Sequence, residues 1–531
     1  PVQFANVGDL RDYSKAPIFL ASIFFCGLLV SQRLSSRQII GVAALAGMAV
    51  GVGYGMRTDA ILNLAALFVT LLIFLPGPLS RTWRLRLVAT AVALTSFTAV
   101  TSPLLLSRSG GYLWHWAVLG FADTFDRALD INEAPYRLGT FYNDGYVAAV
   151  VQAYDGRTGS RFADARFGGA GYSAAGRAYF LELAETFPGD MATRACASLL
   201  KVVELPFEMA HRRMFGGAAR LDASQAVARS IEWRDSVVGA GASWGVPVVA
   251  AAVLIAAAVE LRLGLWMLAA LLFYAGSPAI QFQPRHVFHL EAIGLWSVGV
   301  ALAGVLACVR DGTDLPKRLT SRSVATAIGT TMAVALTCTV GVTWTLRRLQ
   351  VKTVGPVLAS YIASPRESLP LSPSQIEPAW VRVSALPAMP TDTKLGISSE
   401  LVAVRIGGAC DADAVELRVA YSAIDAANNH TRTLLVPVPA SAGDFVDVFL
   451  PVFRPATPNL FSVAGLDIRA GQLGCVTSAG RVPGASASPV LVEAVLPASW
   501  SSLTLAQTIH RLEHPIVYRG RPLTVSNVPG V

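Results

Sequence analysis

Charge is scarce in this chain of 531 residues. Lys, Arg, Asp and Glu make up 15% of it and apolar residues 53%, against roughly 25% charged residues in ordinary soluble domains. That deficit excludes a chain solvated over its whole surface. No Walker phosphate loop, dinucleotide glycine pattern, zinc-ligand spacing or serine-hydrolase elbow stands out, so the chemistry those motifs carry has no support. There is no obvious internal repeat of the kind that marks many secondary transporters. The chain opens on Pro1, and no charged n-region with a following cleavage site precedes an apolar run. The expectation is that the N-terminal part of a larger protein is missing.

What is present is apolar length. Eight runs approach the span needed to cross a ~30 Å hydrocarbon core, at 16–31, 38–55, 59–77, 87–106, 243–261, 263–280, 287–309 and 323–346. Arg33 and Arg37, then Arg81, Arg84 and Arg86, then Arg262, then Arg310, Lys317, Arg318 and Arg322 follow alternate runs. The positive-inside rule makes their side cytoplasmic. Arg347, Arg348 and Lys352 dissent, falling outside in this scheme. The net charge of +8 is therefore a topology signal and implies no nucleic-acid partner.

This topology puts the long polar stretch 107–242, the turn after the second run, the turn before the seventh, and everything beyond Lys352 on one extracytoplasmic side. Several chemically able groups lie there. Asp9 and Asp12 flank Arg11 and can bind a metal or act as a base, or simply cap the first helix. A run rich in Gly47, Gly51, Gly53 and Gly55 suits close helix packing in lipid. It ends in Arg57-Thr58-Asp59, where the arginine can snorkel or hold a phosphate through paired hydrogen bonds.

Trp114, His115 and Trp116 begin the long stretch, with Tyr142, Asp144 and Tyr146 further on beyond an acidic run. Tryptophans at such a depth also form the interfacial belt, and Asn143-Asp144-Gly145 is also a good turn. His115 is an acid/base or ligand candidate near neutral pH. Gln283, Arg285, His286, His289 and Glu291 gather at the start of the seventh run. Ionisable groups at a membrane edge are expensive without partners, and anion binding by Arg285 is the favoured role. The segment 177–205 reads as two helices broken at Pro188-Gly189, lying along the membrane surface or against the outer ends of the spans.

The layout resembles the GT-C class of integral-membrane glycosyltransferases. The residues that carry the resemblance are Arg57-Thr58-Asp59 after a small-residue run, Trp114-His115-Trp116, Tyr142 to Tyr146, Gln283-Pro284-Arg285-His286, and a C-terminal β region. The resemblance implies a polyprenyl-phosphate sugar donor and a glycan or lipid acceptor. It also implies inverting transfer, with a carboxylate as base and arginines on the lipid phosphate. The base in that class usually lies in the first outer loop, and only Asp9 and Asp12 stand at the matching end of this chain. The sequence specifies no cofactor, and a divalent metal ion stays open as one.

Beyond Lys352 a Pro- and Ser-punctuated linker leads to alternating runs at Val415–Val419, Leu434–Val438, Phe445–Leu450 and Leu466–Arg469. They read as a β-sandwich of jelly-roll type, serving either as a carbohydrate-binding module or as a lid or assembly piece. Cys410 and Cys475 are a plausible disulfide pair outside the cytoplasm. Asp411-Ala412-Asp413 reads as a surface turn.

The expected fold is an α-helical polytopic membrane protein of about eight spans, with a C-terminal extracytoplasmic β-sandwich. Its parts are 1–106 (four spans), 107–242 (outer helical stretch), 243–352 (four spans) and 353–531 (linker and β region). The expected place is a bacterial inner membrane. Two functions are open: a membrane glycosyltransferase acting on an envelope glycan or lipid, and a non-catalytic membrane protein whose β region binds sugar during envelope assembly or export.

Overall fold

The computed structural model describes residues 14–106, 113–131, 134–136, 144–207, 244–311, 321–384, 397–407, 410, 412–422, 430–439, 443–455, 462–483, 490–497, 516–518 and 521–523, with 229, 233 and 236. Asp9, Asp12, Tyr142 and the Asp411 turn lie outside these residues.

The first helices are α1 (Lys15–Ser31), α2 (Ser36–Met56), α3 (Leu62–Val69) and α4 (Leu79–Leu106). A 3-10 turn, Thr58–Ile61, leads into α3, and a π turn, Thr70–Phe74, extends it. Next come α5 (Leu113–Leu119), α6 (Asp123–Ala128), α7 (Asp144–Arg157), α8 (Tyr172–Thr186) and α9 (Pro188–Glu204). The last helices are α10 (Gly245–Val259), α11 (Leu261–Gly276), α12 (Glu291–Asp311), α13 (Arg322–Leu336) and α14 (Val342–Ala363).

Each of the eight apolar runs of the sequence contains a helix. Among the described residues, five helices are long and apolar enough to cross a membrane: Ser36–Met56, Leu79–Leu104, Leu261–Ile280, Phe288–Ala307 and Arg322–Ala363. Lys15–Ser31, Thr58–Phe74 and Gly245–Val259 are apolar but shorter. At ~1.5 Å per residue these three fall short of a ~30 Å core. The five long helices mark the chain as membrane-embedded. Phe24, Ile73 and Leu306, each more than half exposed, suit hydrocarbon rather than water.

The chain forms two compact units, residues 1–109 with 194–342, and residues 110–193 with 343–531. In the first, α2 lies tightly on α4. A Cβ on Gly47 would strike the Ala93 carbonyl, and one on Gly51 would meet Val100 and Phe97. These are the small residues that the sequence marked for close packing. Helix α2 begins with a capping box, in which Ser35 Oγ accepts from Gln38 N and Gln38 Oε1 accepts from Ser35 N.

Arg86, 4% exposed, closes the far end of α3. Its guanidinium donates to the carbonyls of Leu72 (2.7 Å), Ile73 (2.9 Å), Leu75 (2.5 Å) and Gly77 (3.1 Å), and Nε donates to Thr82 Oγ1 (2.9 Å). The side chain thereby satisfies carbonyls that the π turn leaves without helical partners. The Glu204 carboxylate does the reverse at the start of α10, accepting from Gly245 N (3.2 Å) and Val246 N (3.4 Å).

The second unit contains two five-stranded sheets in which every neighbouring pair is antiparallel. Its strands are β1 (Glu367–Leu369), β2 (Ser374–Glu377), β3 (Trp380–Ser384), β4 (Ile397–Gly407), β5 (Ala414–Ser422) and β6 (His430–Pro437). They continue with β7 (Phe445–Pro455), β8 (Ser462–Arg469), β9 (Val476–Arg481) and β10 (Ala494–Pro497). One sheet runs β1-β9-β4-β7-β10 and the other β2-β3-β8-β5-β6. A further hairpin pairs β11 (Ile516–Tyr518) with β12 (Arg521–Leu523). Cys410 and Cys475 form a disulfide.

The helical stretch 113–193 shares one apolar core with these sheets. Residues Tyr146 to Asp155 of α7 are buried on all sides, and α7 packs on β4 and β7. A helix apolar all round needs cover all round, so Leu401, Val402, Ala403 and Val404 of β4 are buried on both faces. Tyr179, Leu183 and Phe187 also enter this core. The spacing shows an apolar face without showing what covers it; the expected cover was the membrane surface or the outer ends of the spans, and in the structure it is this core. Tyr361 Oη accepts from Val492 N (2.8 Å), and Glu493 N donates to the Pro135 carbonyl (2.7 Å).

Candidate functional site

In the first unit, polar side chains meet where α1 begins, α2 ends and the 281–290 turn enters α12. Lys15 Nζ lies 2.5 Å from Asp59 Oδ2, and Arg57 Nε lies 3.3 Å from Asp59 Oδ1. The two cations are buried, with side chains 10% and 9% exposed, while the carboxylate between them is 37% exposed. Lys15 Nζ also approaches the carbonyl of His286 at 3.5 Å. His289 lies within the electrostatic reach of Lys15, Asp59, Arg57 and His286. Its Nδ1 is buried and has no hydrogen-bond partner among the described residues.

Aromatic and amide groups brace this cluster. Phe19 stands edge-on to Tyr274 and to His289, with ring centroids 5.0 Å apart in each case. Tyr274 Oη donates to Asn63 Oδ1 (3.1 Å), whose Nδ2 donates to the Ala60 carbonyl (3.1 Å). The turn carrying Arg57 and Asp59 is thus tied to α11 through side chains that are themselves buried. Such support holds ionic groups in a fixed geometry.

In the second unit, His115 on α5 is 3% exposed. Its Nδ1 lies 2.5 Å from Tyr172 Oη and its Nε2 lies 3.3 Å from Asp144 Oδ1. Phe167 and Tyr172 flank the imidazole, with ring centroids 5.2 Å and 5.7 Å away. Burial pushes the His115 pKa below its ordinary value, and the Asp144 carboxylate opposes that shift through a hydrogen bond and its charge. The loop bearing Phe167 is tightly wound. Ser160 and Asp164 adopt positive φ of 52° and 54°, and a Cβ on Gly171 would strike the Ala163 carbonyl. Strained loops of this sort gather at functional positions.

The structure therefore brings together two of the sets singled out in the sequence: Arg57 and Asp59 with His286 and His289, and His115 with Asp144. Gln283 sits half-buried in the turn of the first set. Arg285 lies in the short helix Pro284–Val287, and its side chain is outside the described residues. Trp114 packs on Phe180 at 5.5 Å under Arg177, whose guanidinium lies 5.9 Å from the indole. Trp116 is 40% exposed. Tyr146 belongs to the apolar core at 5% exposure, so its ring faces the protein interior. The unbroken apolar run Tyr146–Val151 is the sequence signal that fits this burial.

Lys15, Phe167 and Tyr172 are site residues that sequence reasoning missed. A lysine opening an apolar run is an ordinary boundary residue, and a tyrosine far along the chain from His115 gives no local sign of meeting it.

The sheets offer no open tryptophan platform among the described residues. Trp380 is 9% exposed and lies between Arg418 and Arg469, whose guanidinium carbons are 4.2 Å and 4.8 Å from its ring. No group of three His, Cys, Asp or Glu side chains among the described residues is placed to hold a metal ion. No protein-family model, curated protein or solved structure matches this chain.

Proposed function

We propose that this protein is a membrane glycosyltransferase of GT-C-like layout. It moves a sugar from a polyprenyl-phosphate donor to a glycan or lipid of the cell envelope. The observation that carries this reading is the Lys15–Asp59–Arg57 cluster beside His286 and His289. Two cations and imidazoles fixed at the ends of apolar helices suit the phosphate of a lipid whose chain lies in the bilayer. In the second unit, considered by itself, His115 and Asp144 are groups of the kind that exchange protons near neutral pH.

Eight crossings of a bacterial inner membrane fit this reading, with the bilayer thinned locally around the three shorter apolar helices. The start of α1, the end of α2 and the 281–290 turn meet at one end of the first unit. Arg86 and Arg262 meet the carbonyl-bearing end of α3 at the other, Arg262 Nη1 donating to Phe74 O at 3.4 Å. With Arg86 and Arg262 cytoplasmic by the positive-inside rule, the Lys15 cluster faces out. A jelly-roll β region outside the cytoplasm is supported by the Cys410–Cys475 disulfide, since such bonds persist in oxidising compartments. The covered Trp380 speaks against the non-catalytic sugar-binding alternative.

The test is binding of undecaprenyl monophosphate to the full-length protein in detergent, comparing wild type with Lys15→Ala, Arg57→Ala and Arg285→Ala. Wild-type binding that is lost in the Lys15 and Arg57 variants is the expected result. Absence of binding, or binding indifferent to these changes, sinks the reading.

A further inference from the structure

A cleft of about 660 Å³ opens in the first unit between the α10–α11 connection and the start of α13. Val259, beside it, ends an apolar helix, while Leu261 and Arg322 each begin a helix long and apolar enough to cross a membrane. The cleft therefore lies where apolar helix gives way to polar chain, which in a bilayer is the level of the lipid headgroups. It is distinct from the Lys15 cluster. Leu261 opens α11 and Tyr274 lies near its end, about 20 Å away along a helix that rises ~1.5 Å per residue.

Two opposite charges, Glu260 and Arg322, line this cleft. Glu260 Oε1 accepts from Arg262, whose Nε lies 3.0 Å and whose Nη2 lies 2.7 Å from it. Arg262 Nη1 donates to the Phe74 carbonyl (3.4 Å), which anchors the arginine on the far side of the carboxylate's partner. Glu260 Oε2 has no partner among the described residues. Arg322 is exposed, and its guanidinium makes no ion pair or hydrogen bond with a described residue. Ala257, Ala258, Val324 and Ala327 complete the lining with short apolar side chains. Charged groups at this depth are costly without partners.

We propose that this cleft binds the headgroup of a phospholipid that carries both a phosphate and a primary ammonium. The Arg322 guanidinium donates paired hydrogen bonds to the phosphate. The ammonium donates to Glu260 Oε2. The acyl chains run on over the alanines of α10 and α13, whose small side chains leave them room. A trimethylated ammonium has no N–H for the carboxylate, and a glycerol headgroup brings no cation to it. Both satisfy only the arginine half of the site.

The site is tested by native mass spectrometry of the full-length protein, released from detergent holding equal amounts of phosphatidylethanolamine, phosphatidylcholine and phosphatidylglycerol. The wild type should retain phosphatidylethanolamine about three- to tenfold over either of the others, as expected for one further exposed charge-assisted hydrogen bond. In Glu260→Gln that preference should vanish, and in Arg322→Gln retention of all three lipids should fall. Equal retention by the wild type, a preference that survives Glu260→Gln, or retention unchanged in Arg322→Gln overturns the proposal. A photoreactive phosphatidylethanolamine should label 257–261 and 322–327 of the wild type, which decides the location even if a variant does not fold. Labelling confined to other segments also overturns it. None of these readouts depends on sugar transfer, so the lipid site and the transferase reading fail separately.

Discussion

Lys15, the first residue of α1, and Asp59, in the turn that follows α2, are joined at 2.5 Å, and the lysine is nearly buried. The pair ties together two chain segments that no local pattern relates. It also fixes Arg57, which approaches the other oxygen of the same carboxylate.

Truncating Lys15 should therefore do two things. Lys15→Ala removes a cation from the site and leaves Asp59 with one fewer partner. Binding of undecaprenyl monophosphate should weaken at least about tenfold, equivalent to ~1.4 kcal/mol. Lys15→Arg should recover part of it, because the charge returns with a different donor geometry. Isothermal titration on the three proteins checks this, and equal affinities would remove Lys15 from the site.

Arg86 is expected to matter for stability and not for ligand binding. Its five hydrogen bonds close the π-turn end of α3. Arg86→Ala leaves buried carbonyls unsatisfied and should cost on the order of 3 kcal/mol, seen as a lower unfolding temperature in detergent. Arg86→Lys should rescue little, since an ammonium cannot span several carbonyls as a planar guanidinium does.

The pH dependence of the second unit should carry the mark of His115. Its folded pKa is depressed below the unfolded value of about 6.5, because burial disfavours the charged ring more than Asp144 favours it. Between those two values the unfolded chain binds a proton that the folded chain does not, so stability rises with pH there. The contribution is complete above about pH 6.5 and is lost as pH falls through the folded pKa. Tyr172 and Asp144 are the titratable partners on the imidazole. Melting curves across that window should show the slope in wild type and a smaller one in His115→Gln.

Reduction should loosen the β region. The disulfide closes a loop with a sequence separation of 65 residues, for which chain-entropy arguments give about 4 kcal/mol. A Cys410→Ser, Cys475→Ser double variant should unfold at lower temperature than the oxidised wild type. It should also lose the sensitivity to dithiothreitol that the wild type shows.

Much of the fold was legible along the chain. Each of the eight apolar runs contains a helix, the break near Pro188 lies where a proline can open a helix, and Val415–Val419 lies in β5. The grouping of parts was not legible. Residues 110–193 belong in one unit with 343–531, because α7 is apolar all round and finds cover on β4 and β7. The site was half legible. Arg57, Asp59, His115, Asp144, His286 and His289 were marked by type and position, while Lys15 and Tyr172 were not.

The sequence by itself determined that this protein has long apolar helices and a separate stretch of alternating strands. Hydrocarbon affinity and strand alternation are sums over neighbouring residues, so they can be read locally. Only the tertiary structure decided which polar groups meet. His115 and Tyr172 are 57 positions apart, and Lys15 and His286 are 271. A hydrogen bond or ion pair acts over a few ångströms, and helix packing alone brings such distant residues within that reach.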